Sequence, residues 1–427
     1  MWGARGSSGP AMRAIAGVVA IVVAVSLVTL GGAGAQQNQP GVTDTEIRVG
    51  GVATATNDPT GGTYGSAFDG VEAYFEYINS TEDGVHGRKL VLSSKRDDAL
   101  GNNRQEVQGL LSQDNVFAVL PVSVALFTGA DLLAQSGVPT FGWLQNAEWG
   151  SEEVPSPPNF FGQVGSYLRF SSAWPNPMVW LPKKLGLKRV GVLAYNVPQS
   201  SSCAESMEKS FEKYPTAKVV FSDKSLTFGN PDYTAQVTKM VEEQVDYVIP
   251  CVDANGAINL AREMKKQGLD AVQMLPNQYK PELVKENAQF LNGSYVFLTF
   301  TPFEARPKSP GMKLYEKWIK RTDGAINENS LYGWLNADLF VTGLKAAGQD
   351  FTRQKVIAGI NQIKDYNAGG ILAGVDWTTA HQEMTDCLSL VKIVNGRFKA
   401  VFGKPREPFL CFPKDLETIP KNPETTG

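Results

Sequence analysis

The chain has 427 residues, with 40 Lys and Arg against 43 Asp and Glu and a formal charge of −3. That balance gives no reason to expect nucleic acid or an anionic membrane surface as a partner. With two histidines in the whole chain, a histidine-based triad or metal centre has little to draw on.

Residues 1–35 read as an export signal. Arg5 and Arg13 make a basic flank, Ala14 to Leu30 is uncharged and mostly apolar, and Ala33-Gly34-Ala35 fits the small-residue cleavage rule. No Cys ends the apolar run to take a lipid, and an uncleaved segment would instead anchor the protein through one short helix. Without these residues the formal charge becomes −5. What remains is long enough for about two domains.

The mature chain opens with a strand, Ile47 to Val52, and a loop dense in Gly, Thr and Pro that contains Tyr64. A helix follows, with Phe68, Val71, Tyr74, Phe75 and Ile78 at three and four residue spacing. Such a loop before a helix N-terminus either binds a small polar group or is a plain turn. Strand Lys89 to Ser93, helix Arg104 to Ser112, strand Val116 to Leu120, helix Phe127 to Ser136 and strand Val138 to Phe141 come next, with Asp97-Asp98 as turn and capping residues. The Pro- and aromatic-rich stretch Gly150 to Pro182 reads as a crossing between two units.

From Arg189 the alternation restarts: strand Val190 to Ala194, helix Ala204 to Lys213, strand Lys218 to Ser222, helix Tyr233 to Gln244, strand Tyr247 to Cys251, helix Ala254 to Gln267. Strand Ser294 to Thr299 precedes three helices, Met312 to Arg321, Leu331 to Ala347 and Thr352 to Ile363. Strands Leu388 to Val394 and Phe398 to Val401 close the chain as a hairpin turned at Asn395-Gly396. Alternation of this kind predicts parallel sheets covered by helices on both faces.

Four cysteines in an exported chain suggest disulfides, with three pairings possible. Cys203 and Cys251 belong to one βα series, and Cys387 and Cys411 flank the last strand pair, which favours 203–251 and 387–411, closing loops of 48 and 24 residues. Each would add about 3–4 kcal/mol in the chain-entropy model. Metal binding is the competing reading, but no Cys-x-x-Cys occurs and His86 and His381 are the available imidazoles.

The stretch IRVGGVATATNDPTGGTYG before its helix, the segment GVHGRKLVLSSKRDD and Gly137-Val138-Pro139 before a strand, in this order and spacing, resemble the type I periplasmic solute-binding proteins of ABC importers, specifically the branched-chain amino-acid-binding group. The resemblance implies an α/β fold with two doubly wound parallel-sheet lobes joined by a three-segment hinge. One lobe would hold 44–158 plus 298–371 and the other 159–297 plus 372–413, with 414–427 a disordered tail. A small-molecule ligand would lie between closing lobes, and the monomeric, cofactor-free protein would work outside the cytoplasmic membrane with permease subunits.

Carried over by position, Tyr64 matches a tyrosine at the cleft edge, and Ser123-Val124-Ala125 matches a serine run that holds a ligand carboxylate, with Ala125 in place of the serine expected there. Leu144-Gln145-Asn146 beside Trp143 replaces an Ala-Ala-Thr segment that engages carboxylate and ammonium. In the second lobe the acidic partner of the amino group falls at Asn277 and an aromatic falls near Val252-Asp253. A carboxamide cannot neutralise a buried ammonium, so the resemblance implies a changed ligand, polar or amphipathic, unless Asp253 takes over. Tyr332 lies on a helix where the family also puts an aromatic near the cleft, and each position has a plain structural alternative: Trp143 and Tyr332 as core, Asp253 as a helix cap. Tyr195 and Gln199 have the right topology without a motif.

The chain contains no Gly-x-Ser-x-Gly elbow, phosphate loop, His-Glu-x-x-His or dinucleotide fingerprint. Transport is the reading that organises the most residues. A ligand-sensing ectodomain of a signalling system and an exported hydrolase using carboxylates remain as alternatives.

Overall fold

A computed structural model describes residues 39–426 apart from 59–61, 144, 152–153, 167–175, 277–278 and 414. The export segment lies outside the described residues, as do Leu144 and Asn277.

The first half alternates as β1 Glu46–Ala53, α1 Ala67–Thr81, β2 Lys89–Asp97, α2 Asn103–Ser112, β3 Ala118–Ser123, α3 Ala130–Ser136, β4 Thr140–Gly142 and β5 Phe160–Gly162. The second runs α4 Pro177–Leu185, β6 Arg189–Tyr195, α5 Pro198–Lys213, β7 Lys218–Leu226, α6 Thr234–Glu242, β8 Tyr247–Cys251, α7 Ala254–Gln267 and β9 Val272–Leu275. It continues as α8 Pro281–Glu286, α9 Ala288–Leu291 and β10 Tyr295–Leu298. Three helices follow, α10 Pro310–Arg321, α11 Glu328–Ala347 and α12 Arg353–Ile360, and then β11 Cys387–Val394, β12 Arg397–Val401, β13 Phe409–Cys411 and β14 Glu424–Thr426.

Two sheets result. The first has the order β2-β1-β3-β4-β5, every pair parallel. The parallel part of the second, β7-β6-β8-β9-β10, repeats that order, and β11, β13 and β14 extend it antiparallel with β12 paired to β11. Strands β3, β8 and β10 are buried along their whole length, as strands covered on both faces must be. In this order the chain reverses direction across the sheet between its first and third strands. That places one crevice at the carboxyl ends of β1 and β3 and another at those of β6 and β8.

Helices α10 to α12 follow the second sheet in sequence, yet α11 packs on α1 of the first half. Phe340 stands 5.7 Å from Phe141 of β4, and Trp334 stands 4.7 Å from Tyr74 of α1. The two helix backbones touch at glycines: a Cβ on Gly70 would lie 1.8 Å from the Ser330 carbonyl, and one on Gly333 would lie 1.9 Å from that of Ala67. Between these elements the buried Asp338 carboxyl accepts hydrogen bonds from Tyr74 and Tyr366, each at 2.7 Å. Because α10 to α12 belong with the first sheet and β11 to β14 with the second, the chain passes between the two halves three times.

Three features differ from the sequence reading. Phe160–Gly162, expected within a crossing, is an edge strand of the first sheet. Helix α5 starts six residues earlier than its apolar pattern suggests, with Pro198 in its first turn, where a missing N–H costs nothing. The terminal segment expected to be disordered is ordered over its described residues, 415–426. Ile419 is buried, its carbonyl accepts from Lys183 Nζ, that of Lys421 accepts from Trp180 Nε1, and β14 covers β13.

Both disulfides are present. Cys203 of α5 joins Cys251 at the end of β8, and Cys387 joins Cys411 across directly paired positions of β11 and β13. At the hairpin turn Asn395 and Gly396 take φ of 50° and 73°, the left-handed pair that a two-residue hairpin loop requires.

Candidate functional site

The loop after β1 is held from below by Asp97, whose carboxylate accepts from the backbone N–H groups of Ala55 and Thr56 at 2.9 and 3.2 Å and from the Thr56 hydroxyl at 2.5 Å. The loop's chemistry serves to place Tyr64, which is buried with its ring centroid 5.0 Å from that of Trp143. Trp143 directly follows β4, and its backbone N–H donates to the Val122 carbonyl at 2.8 Å, continuing the strand ladder. Its indole therefore emerges at the carboxyl end of the sheet.

Opposite stand residues from the carboxyl ends of the second sheet. Tyr195 ends β6, Phe228 lies in the loop after β7, and their rings are 5.5 Å apart at 71°. Asp253 follows β8 and caps α7: one carboxylate oxygen accepts from the N–H groups of Asn255 and Gly256 at 2.8 and 3.0 Å. The other accepts from the Tyr195 hydroxyl at 2.6 Å. Burial first, then this bond, pushes the Tyr195 hydroxyl well above the ordinary phenol range. Ser200, near the start of α5, accepts from Tyr195 N–H at 2.7 Å and donates to the Cys251 carbonyl at 2.5 Å, while the Cys203–Cys251 disulfide locks the same corner.

These groups border a half-open cavity of about 110 Å³ between the two sheets' switch points. From the first half it is lined by Tyr64, Ala125, Trp143, Gln145 and Asn146. Tyr195, Gln199, Phe228 and Asp253 are among those lining it from the second. Two residues of its lining, Trp143 and Asn146, each carry a buried polar atom, Nε1 and Oδ1, with no partner among the described residues. Ala125 presents no free backbone donor, because its N–H donates to Thr54 Oγ at 3.0 Å and its carbonyl accepts from Asn146 Nδ2 at 3.1 Å.

A charged cluster joins the two halves near this wall. Lys280 is largely buried, and burial lowers its pKa while the carboxylates of Glu328, Asp58 and Asp253 oppose that shift. Glu328 is pushed up to about 7 by burial, against a hydrogen bond from the Tyr332 hydroxyl at 2.7 Å.

Of the residues the sequence points to, the structure brings together Tyr64, Ala125, Trp143, Gln145, Asn146, Tyr195, Gln199 and Asp253. Two others are not on the cavity wall. Ser123, the last residue of β3, is buried with its hydroxyl toward Asn329, and Tyr332 is turned back along α11 to Glu328 with its ring against Phe300. Leu144 and Asn277 fall outside the described residues. Phe228 escapes the sequence reading because β7 continues to Leu226, so the loop after it begins later than the pattern predicts. Among the described residues no group of three or more His, Cys, Asp or Glu is placed to hold a metal ion, and no helix is long and apolar enough to cross a membrane.

A sequence profile of periplasmic binding proteins matches residues 46–397. The chain belongs to the periplasmic binding protein family. Its two sheets and the cavity between them are the bilobal arrangement of the type I members of that family. No protein with a curated description matches the sequence. Among solved structures, the chain is similar to a fatty acid ABC transporter substrate-binding protein from Thermomonospora curvata, at 19% identity over 85% of this chain and 92% of that one, with a TM-score of 0.70. It is also similar to a solute-binding protein of an ABC transporter from R. palustris in complex with benzoate, at 15% identity over 86% and 98% of the two chains, with a TM-score of 0.67. A branched-chain amino acid ABC transporter protein from Thermus thermophilus with bound valine matches at 20% identity over 84% and 96%, again with a TM-score of 0.67. At these identities the likeness is one of fold.

Proposed function

We propose that this periplasmic binding protein is the extracytoplasmic substrate-binding component of an ABC importer. It captures a small polar or amphipathic solute between two closing lobes and presents it to permease subunits. The lobes are taken as 44–158 plus 298–371 and 159–297 plus 372–413, except that β5 pairs with the first sheet and β14 with the second, and residues 1–35 as the export signal. One observation carries the reading: the cavity takes its walls from the carboxyl-end loops of both sheets, so a solute in it touches both lobes. Such a solute favours the closed form by as much as it binds that form better. The neighbours that bind fatty acid, benzoate and valine show that this fold serves solutes of unlike chemistry.

Leucine, isoleucine and valine are poor candidates here. Ala125 has neither a hydroxyl nor a free N–H for a carboxylate, and Asp253 is already a helix cap. A thermal-shift screen of the purified mature protein against amino acids, amides, aromatic acids and lipid-derived acids tests the proposal. A solute at a hundred times its dissociation constant adds about 2.7 kcal/mol. At least one solute should raise the melting temperature without being consumed, and the three branched-chain amino acids should not. Micromolar binding of any of those three would overturn the reading of Ala125 and Asp253, and turnover of a ligand would overturn transport.

A further inference from the structure

We infer that the protein has a second ligand site, a groove at the hinge that takes an organic anion with an apolar body. The inference goes beyond the transport reading and stands apart from it, since no residue lining this groove lines the solute cavity.

Position is the first ground. The chain passes between the two halves after β10 and again before β11, and these two crossings are tied together. Thr301 N–H donates to the Ile371 carbonyl at 2.7 Å, and the Thr301 hydroxyl donates to the Gly370 carbonyl at 2.9 Å. Beside them opens a groove of about 1070 Å³, against about 110 Å³ for the solute cavity. It is bordered where β11 changes partner: Cys387 and Leu388 pair with β13, and Leu390 to Val394 pair with β12. Ligand pockets commonly measure about 300–1,000 Å³, so a drug-sized molecule has room here.

Charge is the second. Arg306, Lys308 and Lys313 line the groove from the segment entering α10, and Lys399, Lys404 and Arg406 from β12 and the loop after it. Glu304 and Asp365 are the acids on the wall. Lys308 pairs with Glu316, Lys404 pairs with Glu407, and Arg306 donates to the carbonyls of Phe303 and Ala305. Lys313, Lys399 and Arg406 are exposed and have no hydrogen-bond or ion-pair partner among the described residues. The acids outside the described set, Glu152 and Glu153, are too few to neutralise all three. A cleft lined by one sign of charge concentrates ions of the other.

Apolar surface is the third. Pro307, Pro310 and Pro405 are exposed on the same wall, and Val401 is half-buried there. A bare inorganic ion would leave that surface uncovered, whereas an anion with an apolar body covers it.

Naphthalene-1,5-disulfonate, 1-naphthol and inorganic sulfate, titrated calorimetrically into the purified protein at pH 7, separate body from charge. The disulfonate should bind at least tenfold more tightly than either of the others, and more weakly as salt rises from about 20 to 200 mM. Replacing Lys313, Lys399 and Arg406 together with Gln should weaken it about fivefold or more. The same loss of charge at the distant Lys188, Lys218 and Lys285 should change its affinity less than twofold. Asp365→Asn removes the exposed acid from the wall and should tighten binding about twofold, a gain that unfolding cannot mimic. Tyr64→Ala, in the solute cavity, should leave the disulfonate affinity unchanged. Circular dichroism and an unchanged melting temperature certify that the variants fold. Naphthol binding as tightly as the disulfonate would overturn the anionic class, and sulfate doing so would overturn the apolar body. An unaffected triple variant, or a loss in Tyr64→Ala, would overturn the groove as the site. No probe binding, with or without groove-dependent sedimentation on phosphatidylglycerol vesicles, would overturn the small-molecule ligand; sedimentation lost in the triple variant would make the groove a membrane contact instead.

Discussion

Replacing Asp253 with alanine should destabilise the protein in two ways that the structure separates. The carboxylate caps α7 through two backbone N–H groups, and losing a cap of this type costs about 1 kcal/mol. The Tyr195 hydroxyl, whose residue is 2% exposed, would keep only Tyr233 Oη at 3.4 Å, and an under-satisfied buried hydroxyl costs about 1–3 kcal/mol. Together these give about 2–4 kcal/mol, or a melting temperature lower by about 4–16 °C for lobes of this size. Asp253→Asn keeps a cap acceptor and a polar partner for Tyr195, so it should cost under about 1 kcal/mol. In Tyr195→Phe the hydroxyl that needs satisfying is gone. Asp253→Ala added to Tyr195→Phe should therefore cost less than Asp253→Ala alone, a coupling of about 1–2 kcal/mol in a double-mutant cycle. Urea unfolding followed by fluorescence measures all four proteins. Additive costs, or an Asp253→Asn protein of native stability that no longer binds any solute, would refute the argument by making Asp253 a ligand partner instead of part of the frame.

Gly333→Ala should cost about 3 kcal/mol or more, because its Cβ would meet the α1 backbone, which cannot swing aside as a side chain can; a thermal melt near the parent value would contradict the close approach of α1 and α11. Breaking the Cys203–Cys251 disulfide by Cys203→Ser with Cys251→Ser should cost about 2–5 kcal/mol in unfolding experiments and weaken solute binding, since it frees α5 from β8 at the cavity wall. Two buried groups should tilt the pH profile in opposite senses. Burial lowers His381 from 6.5 to about 4, so its contribution is full above about pH 6.5 and lost as pH falls toward 4, and His381→Asn should shrink the acid loss. Glu328 is raised from 4.5 to about 7, so its contribution is full below pH 4.5 and lost as pH rises through 7. Glu328→Gln should therefore flatten the decline from pH 5 to 8. Unfolding free energies across pH 4–8 check both signs.

The parts of the fold that were legible are those where local chemistry and tertiary need agree. Helix α7, Ala254–Gln267, matches its reading at both ends because Asp253 caps one end and Gly268, with φ of 74°, stops the other. The Asn395-Gly396 hairpin is legible for a similar reason: few residue pairs adopt its backbone. Strand β5 and the terminal strand β14 were not, because each has three residues, too short a run for alternation to show, and is held by pairing with a neighbouring strand. At the cavity, Trp143 could be placed because it directly follows a strand, and Asp253 by its position in the family resemblance. Tyr332 could not. The family resemblance puts an aromatic near the cleft, but the direction of its hydroxyl is set by Glu328 four residues earlier, a contact that competes with the cleft and that residue type does not reveal.

The central claim is that one solute is held by both lobes at once. Titrating a solute that raises the melting temperature into Tyr64→Ala and, separately, Phe228→Ala tests it most directly, since each removes one ring from one side of the cavity. The account predicts one-to-one binding to the parent protein and a loss of at least tenfold in affinity for both variants. A solute that binds with unchanged affinity when either ring is removed would contradict it.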